Sequence, residues 1–98
     1  MSCYAVQFED DPARLAVRTQ ALDAHLAFLA AHADRVLTAG VLCREGGDAV
    51  GELWLLRARS ELEARELVEA DPYFVQGLRR TVRVWRYAEA CPGRGVTP

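Results

Sequence analysis

The sequence contains no lysine, and all twelve of its basic residues are arginines. Without lysine the chain has no side-chain amine for Schiff-base chemistry and no P-loop lysine for a nucleotide phosphate. The arginine guanidinium, a planar fork that suits carboxylates and phosphates, is therefore the cation available to hold an anionic ligand. A skewed codon composition, in which alanine is also abundant, explains the absence as well, so the absence assigns no function by itself.

Cysteine is scarce, since the chain has only Cys3, Cys43 and Cys91, which lie far apart. Their odd number and their spacing exclude a disulfide scaffold, and no CxxC motif or Cys/His cluster indicates a zinc site. Cys3 and Cys43 lie within apolar segments, which predicts that both are small buried side chains. We therefore expect no bound metal.

The sequence also lacks a long apolar run and an excess of either charge. No stretch approaches the ~20 apolar residues that span a bilayer, and the N-terminal segment does not have the pattern of a signal peptide. The net charge of −2 provides no general reason to bind nucleic acid. We expect a cytoplasmic protein with no membrane or nucleic-acid partner. Its 98 residues suffice for one domain, predicted at 1–89, with a flexible C-terminal tail at 90–98.

The first half of the chain predicts one strand and one long helix. Residues 3–9 alternate apolar and polar side chains, as a half-buried strand does. Asp11 is a suitable N-cap and Pro12 a suitable first helical residue, so we expect a helix from there to about Ala33. At about 100° per residue, four leucines of this helix form one stripe with three apolar residues on its flank, which predicts its buried side. The stripe is Leu15, Leu22, Leu26 and Leu29, and the flank is Val17, Ala21 and Phe28.

The second half predicts three more strands and a second helix. A Gly-Gly-Asp turn at 46–48 is typical of a hairpin. Ser60 and Glu63 form a capping box that opens the second helix, which has to end before Pro72. The predicted elements of this half are strands over 35–43, 51–57 and 80–87, the helix from Ser60, and a short turn from Asp71-Pro72 to Gly77.

The resulting order is β-α-β-β-α-β, which is the ferredoxin-like α+β pattern. Right-handed crossovers place both helices on one face of a four-stranded antiparallel sheet. Apolar side chains nevertheless occur on both faces of the strands, since Leu53 and Leu55 point away from Trp54 in the third strand. The helices cover one face only, so we predict a homodimer whose sheets pack face to face; scattered exposed aromatics are the alternative.

His25 and Asp71 are the candidate catalytic residues. His25 lies near the middle of the predicted stripe, where it is either a hydrogen-bonded core histidine or a histidine at the lip of a cavity. Asp71 lies on the apolar side of the second helix, where it caps the turn at Pro72, faces His25 and orients its ring, or does both. Arg14 and Arg18 lie on the same side of the first helix and either open a polar pocket or extend to water.

Other function classes find little support in the sequence. The motifs GxSxG, GxGxxG, GxxxxGK[ST] and HExxH are absent. The last strand carries a cluster of arginines, Arg79, Arg80, Arg83 and Arg86, together with Trp85. The first strand lacks the matching aromatic motif of an RNA-binding sheet, so an accessory protein that docks a partner chain on these arginines is the remaining alternative for the cluster.

Four segments of the chain carry a pattern whose order and spacing are informative. The most specific is Glu69–Phe74 followed by Gly77 and Leu78. The other three are His25-Leu26 with Phe28-Leu29, Val36–Gly40, and Ser60–Ala64. Together these segments resemble the YCII-related (YciI-like) family over nearly the whole chain, to about Tyr87. Leu22 departs from the family pattern, since an arginine is common there, and Val41 stands where a proline usually follows Gly40.

The resemblance implies a dimeric α+β barrel with a His–Asp pair in a cleft, which falls on His25 and Asp71. Arg18 matches a common arginine of the family and is the implied substrate-binding residue. Related proteins include a chloromuconolactone dehalogenase, so the implied chemistry is proton transfer without a cofactor on a lactone-like or aromatic-derived small molecule. A non-catalytic module that binds a small ligand in the same cleft is the alternative.

Overall fold

A computed structural model describes residues 1–88 of the protein. The predicted tail at 90–98 and residue 89, the last of the predicted domain, lie outside the described residues. The predicted order of strands and helices is present. In chain order the elements are β1 (Ser2–Asp10), a 3-10 turn (Pro12–Arg14), α1 (Val17–Gln20), α2 (Leu22–Ala31), β2 (Val36–Cys43), β3 (Ala49–Ala58), α3 (Glu61–Glu69), α4 (Pro72–Val75) and β4 (Arg79–Tyr87).

The four strands form one antiparallel sheet in the order β2-β3-β1-β4. β1 lies in the middle, and its Val6 is opposite both Trp54 of β3 and Val84 of β4. This is the predicted ferredoxin-like α+β fold, and the prediction is confirmed. The register also places Phe8 opposite Glu52 and Asp10 opposite Arg79, so polar residues of three strands meet at one end of the sheet.

The helix boundaries follow the caps that the sequence contains. Asp11 accepts a hydrogen bond from the backbone N–H of Ala13 at 2.9 Å, and Ser60 accepts one from that of Glu63 at 3.1 Å. Gly77 ends the turn after α4 with a φ of +82°, a left-handed conformation that glycine adopts without a steric penalty. These local signals mark the start of the first helical region, the start of α3 and the end of the turn after α4.

The single helix predicted from Pro12 to Ala33 is wrong in two respects. The segment divides into the 3-10 turn, α1 and α2, with a break at Ala21, where φ is −108° and ψ is 11°. The predicted leucine stripe is largely exposed, whereas Val17, Ala21 and His25 face the core. Apolar residues occur all around this segment, so periodicity could not select a face; the side with the imidazole is buried because it meets polar partners on the sheet.

The inner face of the sheet carries the core. Alternate residues of β1 and β3 point under the helices, and Phe8 and Trp54 pack with ring centroids 5.0 Å apart. Ala64, Leu67 and Val68 of α3 complete this layer. The fully buried aromatic and aliphatic side chains hold the central strands against the helices and thereby fix the register on which the polar end depends.

The outer face of the sheet is apolar and uncovered in the described chain. Ala5 lies between Leu55 on one side and Trp85 on the other, and Trp85 is 58% exposed. Leu53 and Tyr87 are also exposed on this face. The two-sided apolar pattern predicted from the sequence is therefore present.

Two remaining expectations concern the cysteines and the membrane. Cys43 is exposed and Cys3 half-buried, so the prediction that both are buried is wrong. Cys43 ends β2, an edge strand. Among residues 1–88, no helix combines the length and the apolar character needed to cross a bilayer.

Candidate active site

The imidazole of His25 and the carboxylate of Asp71 are in direct contact. His25 lies on α2 and Asp71 immediately precedes α4, and their Nδ1 and Oδ1 atoms are 2.7 Å apart. The two residues are 3% and 0% exposed. Asp71 occupies the N-cap position of α4, but its side chain makes no capping hydrogen bond. Of the roles considered for Asp71, its carboxylate therefore faces His25 and does not cap the turn.

A second carboxylate lies on the other side of the imidazole ring. Glu52 of β3 is 3% exposed, and its Oε2 lies 3.2 Å from Nε2 of His25. Its other oxygen, Oε1, accepts hydrogen bonds from the indole N–H of Trp54 and from Nη2 of Arg79, both at 2.8 Å. His25 is therefore held between two buried carboxylates, of which the sequence pattern predicted only Asp71.

Two arginines connect these carboxylates to a third one. Nη1 of Arg79 donates to Oδ1 of Asp10 at 2.8 Å, and Nε of Arg18 donates to Oδ2 of the same side chain at 2.8 Å. Arg18 also donates to the backbone carbonyl of Gly51 at 3.0 Å. Arg18, predicted as a substrate-binding residue, is thus fixed by several bonds and keeps 18% of its side chain exposed.

Arg79 was predicted as part of an exposed cluster on the last strand, and for this residue the prediction is wrong. Its side chain is fully buried, and its guanidinium lies 4.4 Å from the ring centroid of Phe8. The cause is a register shift in the pairing of β1 with β4: Glu9 is opposite Thr81 but Asp10 is opposite Arg79, which leaves Arg80 as an extra residue. This bulge turns Arg79 inward, whereas Arg80, Arg83 and Arg86 are exposed.

Tyr73 of α4 fixes the plane of the imidazole. Its ring stacks on that of His25 with centroids 3.9 Å apart and an interplanar angle of 14°. Its hydroxyl donates a hydrogen bond to the backbone carbonyl of Arg18 at 2.7 Å. The same side chain therefore links the two predicted functional residues of the first helical region.

The charges of the cluster determine the protonation of His25. Burial by itself lowers the pKa of His25, but the contacts with Asp71 and Glu52 outweigh it and raise that pKa from 6.5 to about 9. Burial likewise raises the pKa of Glu52, but the contacts with His25, Arg79 and Trp54 outweigh it and lower that pKa from 4.5 to about 2. Both shifts favour an imidazolium beside a carboxylate at neutral pH.

One oxygen of the cluster has no hydrogen bond within the described chain. Oδ2 of Asp71 is fully buried and lies 3.7 Å from Nη2 of Arg79, which balances its charge at a distance. Among residues 1–88, no three or more His, Cys, Asp or Glu side chains form a group that could hold a metal ion. The arrangement is suited to holding and moving protons.

An open cleft of about 550 Å³ adjoins the cluster on its Arg18 side. Its wall includes Arg18 and Asp10, with Arg44, Arg80 and Val50 around them. The volume is within the range of small-molecule sites. His25 does not line this cleft, so Arg18 and Asp10 lie at the boundary between the cleft and the buried ring.

The site residues that the sequence analysis did not predict differ in whether the sequence carries a signal for their burial. Asp10 and Glu52 continue the inward-facing alternation of their strands, so an acid at each of these positions was a usable signal. Arg79 breaks that alternation through the bulge, and no pattern in the sequence indicates its burial.

The fold and sequence were compared with known proteins. Six chains of solved structures match. One is 5-chloro-2-hydroxyhydroquinone dehydrochlorinase (TftG) from Burkholderia phenoliruptrix AC1100, in complex with 2,5-dihydroxybenzoquinone. It has 28% sequence identity and a TM-score of 0.79, and the match covers 87% of this chain and 92% of that chain. A search of curated proteins gave no significant match.

A family model decides the assignment. The model of the YCII-related domain matches residues 2–88, which is nearly the whole described chain. The ferredoxin-like fold and the four sequence segments agree with this match. The protein therefore belongs to the YCII-related domain family.

Proposed function

We propose that the protein is an enzyme that needs no cofactor and uses His25 and Asp71 for acid–base chemistry on a small molecule. The observation that carries the proposal is the buried 2.7 Å contact between Nδ1 of His25 and Oδ1 of Asp71, next to an open cleft. A carboxylate at Nδ1 fixes the ring orientation and stabilises the imidazolium. The other ring nitrogen, Nε2, is then the atom that exchanges a proton with the substrate.

The structural neighbour supports the class of substrate. Its name describes loss of hydrogen chloride from a hydroxylated ring, and its structure holds a dihydroxybenzoquinone. We propose for this chain a small, aromatic-derived or lactone-like substrate, on which a lyase, isomerase or dehalogenase would transfer a proton. Arg18 reaches the cleft and is the proposed anchor for an anionic group of that substrate.

The proposal includes a homodimer formed through the outer face of the sheet. The row formed by Leu55, Ala5 and Trp85 is continuous across three strands, and no element of the described chain covers it. A second copy would present the same row, which is the requirement for an isologous interface. Cytoplasmic location stays a prediction from the sequence.

A non-catalytic ligand-binding module is the second candidate. It is favoured by the small exposure of His25, 3%, and by the absence of His25 from the wall of the cleft. In this case the His25–Asp71 pair is structural, and a ligand bound at Arg18 leaves the protein unchanged.

The test uses His25→Asn with His32→Asn as the matched control. His32 lies at the end of the same helix, where Nδ1 contacts the carbonyl oxygen of Phe28 at 2.8 Å, away from the cluster. With 5-chloro-2-hydroxyhydroquinone and lactones as substrates, we expect His25→Asn to lower kcat by ~10²–10⁴-fold and the control to leave it within a factor of about two. Equal turnover by both variants would contradict the proposal that His25 carries out acid–base catalysis. Wild-type protein that binds 2,5-dihydroxybenzoquinone and releases it unchanged, without turnover of any of these substrates, would favour the binding module.

A further inference from the structure

Both ring nitrogens of His25 face a carboxylate, and this differs from a simple His–Asp pair. In such a pair one nitrogen donates to the aspartate and the other carries a lone pair that can accept a proton. Here Nδ1 lies 2.7 Å from Asp71 and Nε2 lies 3.2 Å from Glu52. An ionised carboxylate only accepts hydrogen bonds, so each contact is favourable when the nitrogen carries a hydrogen.

The surroundings of Glu52 keep it ionised, so that it does not supply the missing hydrogen itself. Oε1 accepts from Trp54 and Arg79, and Nη1 of Arg18 lies 3.8 Å from Oε2. Each of these donors stabilises the carboxylate. The hydrogen between Glu52 and His25 therefore resides on Nε2.

The charge count of the whole cluster gives the same protonation state. Three carboxylates from β1, β3 and the start of α4 face two guanidiniums from α1 and β4. Among residues 1–88, His25 and Tyr73 are the other ionisable groups in contact with them. Tyr73 stacks on the ring as a neutral phenol, since burial raises its pKa. Buried charges are tolerated when they are balanced. Balance requires a protonated His25 with Asp10, Glu52, Asp71, Arg18 and Arg79 all charged.

We propose that Glu52 is a positioning residue that keeps both ring nitrogens of His25 protonated, so that the resting site is a general acid for a small anionic ligand. This inference rests on the proposed function, in which His25 exchanges a proton with a substrate. It goes further because it assigns the direction of the first proton transfer and the charge of the substrate.

The first step follows from this protonation state. A basic atom of the ligand, an oxyanion or a carbanion-like ring carbon, displaces Oε2 of Glu52 from Nε2. The N–H bond of His25 breaks with its electron pair left on Nε2, and a new bond to hydrogen forms on the ligand. The anion becomes neutral while the cluster gains one negative charge, so total charge is conserved. A neutral ligand with no basic atom is not a substrate for this step.

The decisive variant is Glu52→Gln, because it replaces one acceptor oxygen with a donor NH₂ group and changes little else. Its amide oxygen can still accept from Trp54 and Arg79. Its NH₂ group then faces Nε2 of His25 and requires a lone pair there, so the variant favours a neutral ring that is protonated only on Nδ1. Glu63→Gln removes the same charge from an ion pair with Arg35, outside the cluster, and is the matched control.

The experiment is a pH titration of the imidazole by ¹H–¹⁵N NMR on the full chain without ligand. In wild-type protein we expect both ring nitrogens of His25 to be protonated at pH 7, with a midpoint near the pKa of about 9. Glu52→Gln is expected to lower that midpoint by about one pH unit or more, and Glu63→Gln to leave it in place. A neutral His25 in wild-type protein at pH 7, or an unchanged midpoint in Glu52→Gln, would overturn the inference.

The wild-type spectrum keeps the inference testable if Glu52→Gln does not fold, which circular dichroism determines. The result also separates the two proposals. If His25→Asn loses turnover but His25 titrates at the same midpoint in Glu52→Gln as in wild type, the proposed enzymatic function is retained. The positioning role proposed for Glu52 is then rejected. If His25→Asn retains full turnover while the NMR titrations give the expected midpoints, His25 is protonated as inferred, but the proposed catalytic function is rejected.

Discussion

The two faces of the sheet use the same alternation of side chains for opposite purposes. The inner face buries Glu52, Asp10 and Arg79 among its apolar residues, so that charged groups are removed from water. The outer face has the reverse arrangement, with Trp85 more than half exposed and no helix within residues 1–88 over it. Buried charges on the inner face and exposed apolar side chains on the outer face both depart from the usual distribution of residues in a folded protein.

The difference supports the two proposals made above, proton chemistry at the inner cluster and association through the outer face. Buried ionic clusters contribute little to stability compared with apolar packing of the same volume, so the inner cluster is better explained by proton chemistry at His25. Exposed apolar area lowers solubility, which supports the proposal that a second copy of the chain covers the outer face. Three changes test this division, beginning with the largest expected effect on stability.

Removing the buried guanidinium of Arg79 is expected to have the largest effect. Arg79→Leu leaves Asp10 and Glu52 without one of their main partners and keeps their charges buried. We expect a loss of about 3–5 kcal/mol in the free energy of unfolding, measured by urea denaturation at neutral pH. Arg80→Leu, at the neighbouring exposed position, is the control and should change that free energy by no more than about 0.5 kcal/mol. Equal losses in the two variants would mean that the inner cluster is not a charge-balanced unit.

The pH dependence of stability is the second test of the inner face. His25 has a raised pKa, so its contribution is fully present below pH 6.5 and is lost as the pH rises through about 9. Glu52 has a lowered pKa, so its contribution is present above pH 4.5 and is lost as the pH falls towards about 2. We expect maximal stability between these limits, with an alkaline loss of about 3 kcal/mol from His25.

The measurement is the free energy of unfolding from urea titrations across the pH range. His25→Asn provides the comparison, since it should remove the alkaline decline between pH 6.5 and about 9. A flat wild-type profile over that interval would show that His25 is not protonated in the folded state.

The outer face is tested by Trp85→Glu, which should affect assembly much more than the fold. We expect wild-type protein to sediment as a dimer and this variant as a monomer, because a charge in the apolar row opposes the contact of two copies. Leu62→Glu introduces the same charge at an exposed leucine of α3 and should remain dimeric. A monomeric wild-type chain in analytical ultracentrifugation would refute the role assigned to this face.

Much of the fold could be predicted because its signals are local. Strand alternation, the caps at Asp11 and Ser60, and the glycine after α4 each act within a few residues. The first helical region was harder to predict, since Leu22 and Leu26 form an apparent stripe that the tertiary structure leaves exposed. Periodicity ranks the faces of a helix by their apolar content. It carries no information about the contact of a histidine with a carboxylate that is distant in sequence.

The candidate site could be predicted only in part. The positions of His25 and Asp71 left their contact as one alternative, and the family resemblance implied it. Glu52 lies at an inward position, but its partners come from remote elements, and a single sequence does not specify that pairing. Arg79 was grouped with the arginines that could dock a partner, but one extra residue in β4 turns its side chain inward.

That extra residue has a consequence for anyone who would transplant this site into another scaffold. Copying the side chains of His25, Glu52, Asp71 and Arg79 would not rebuild the site. In a β4 without the bulge, the guanidinium of Arg79 would point to the opposite face of the sheet. There it would lose its bonds to Asp10 and Glu52. The irregular step between Glu9 and Asp10 is thus an inherited part of the site, as necessary as any side chain in it.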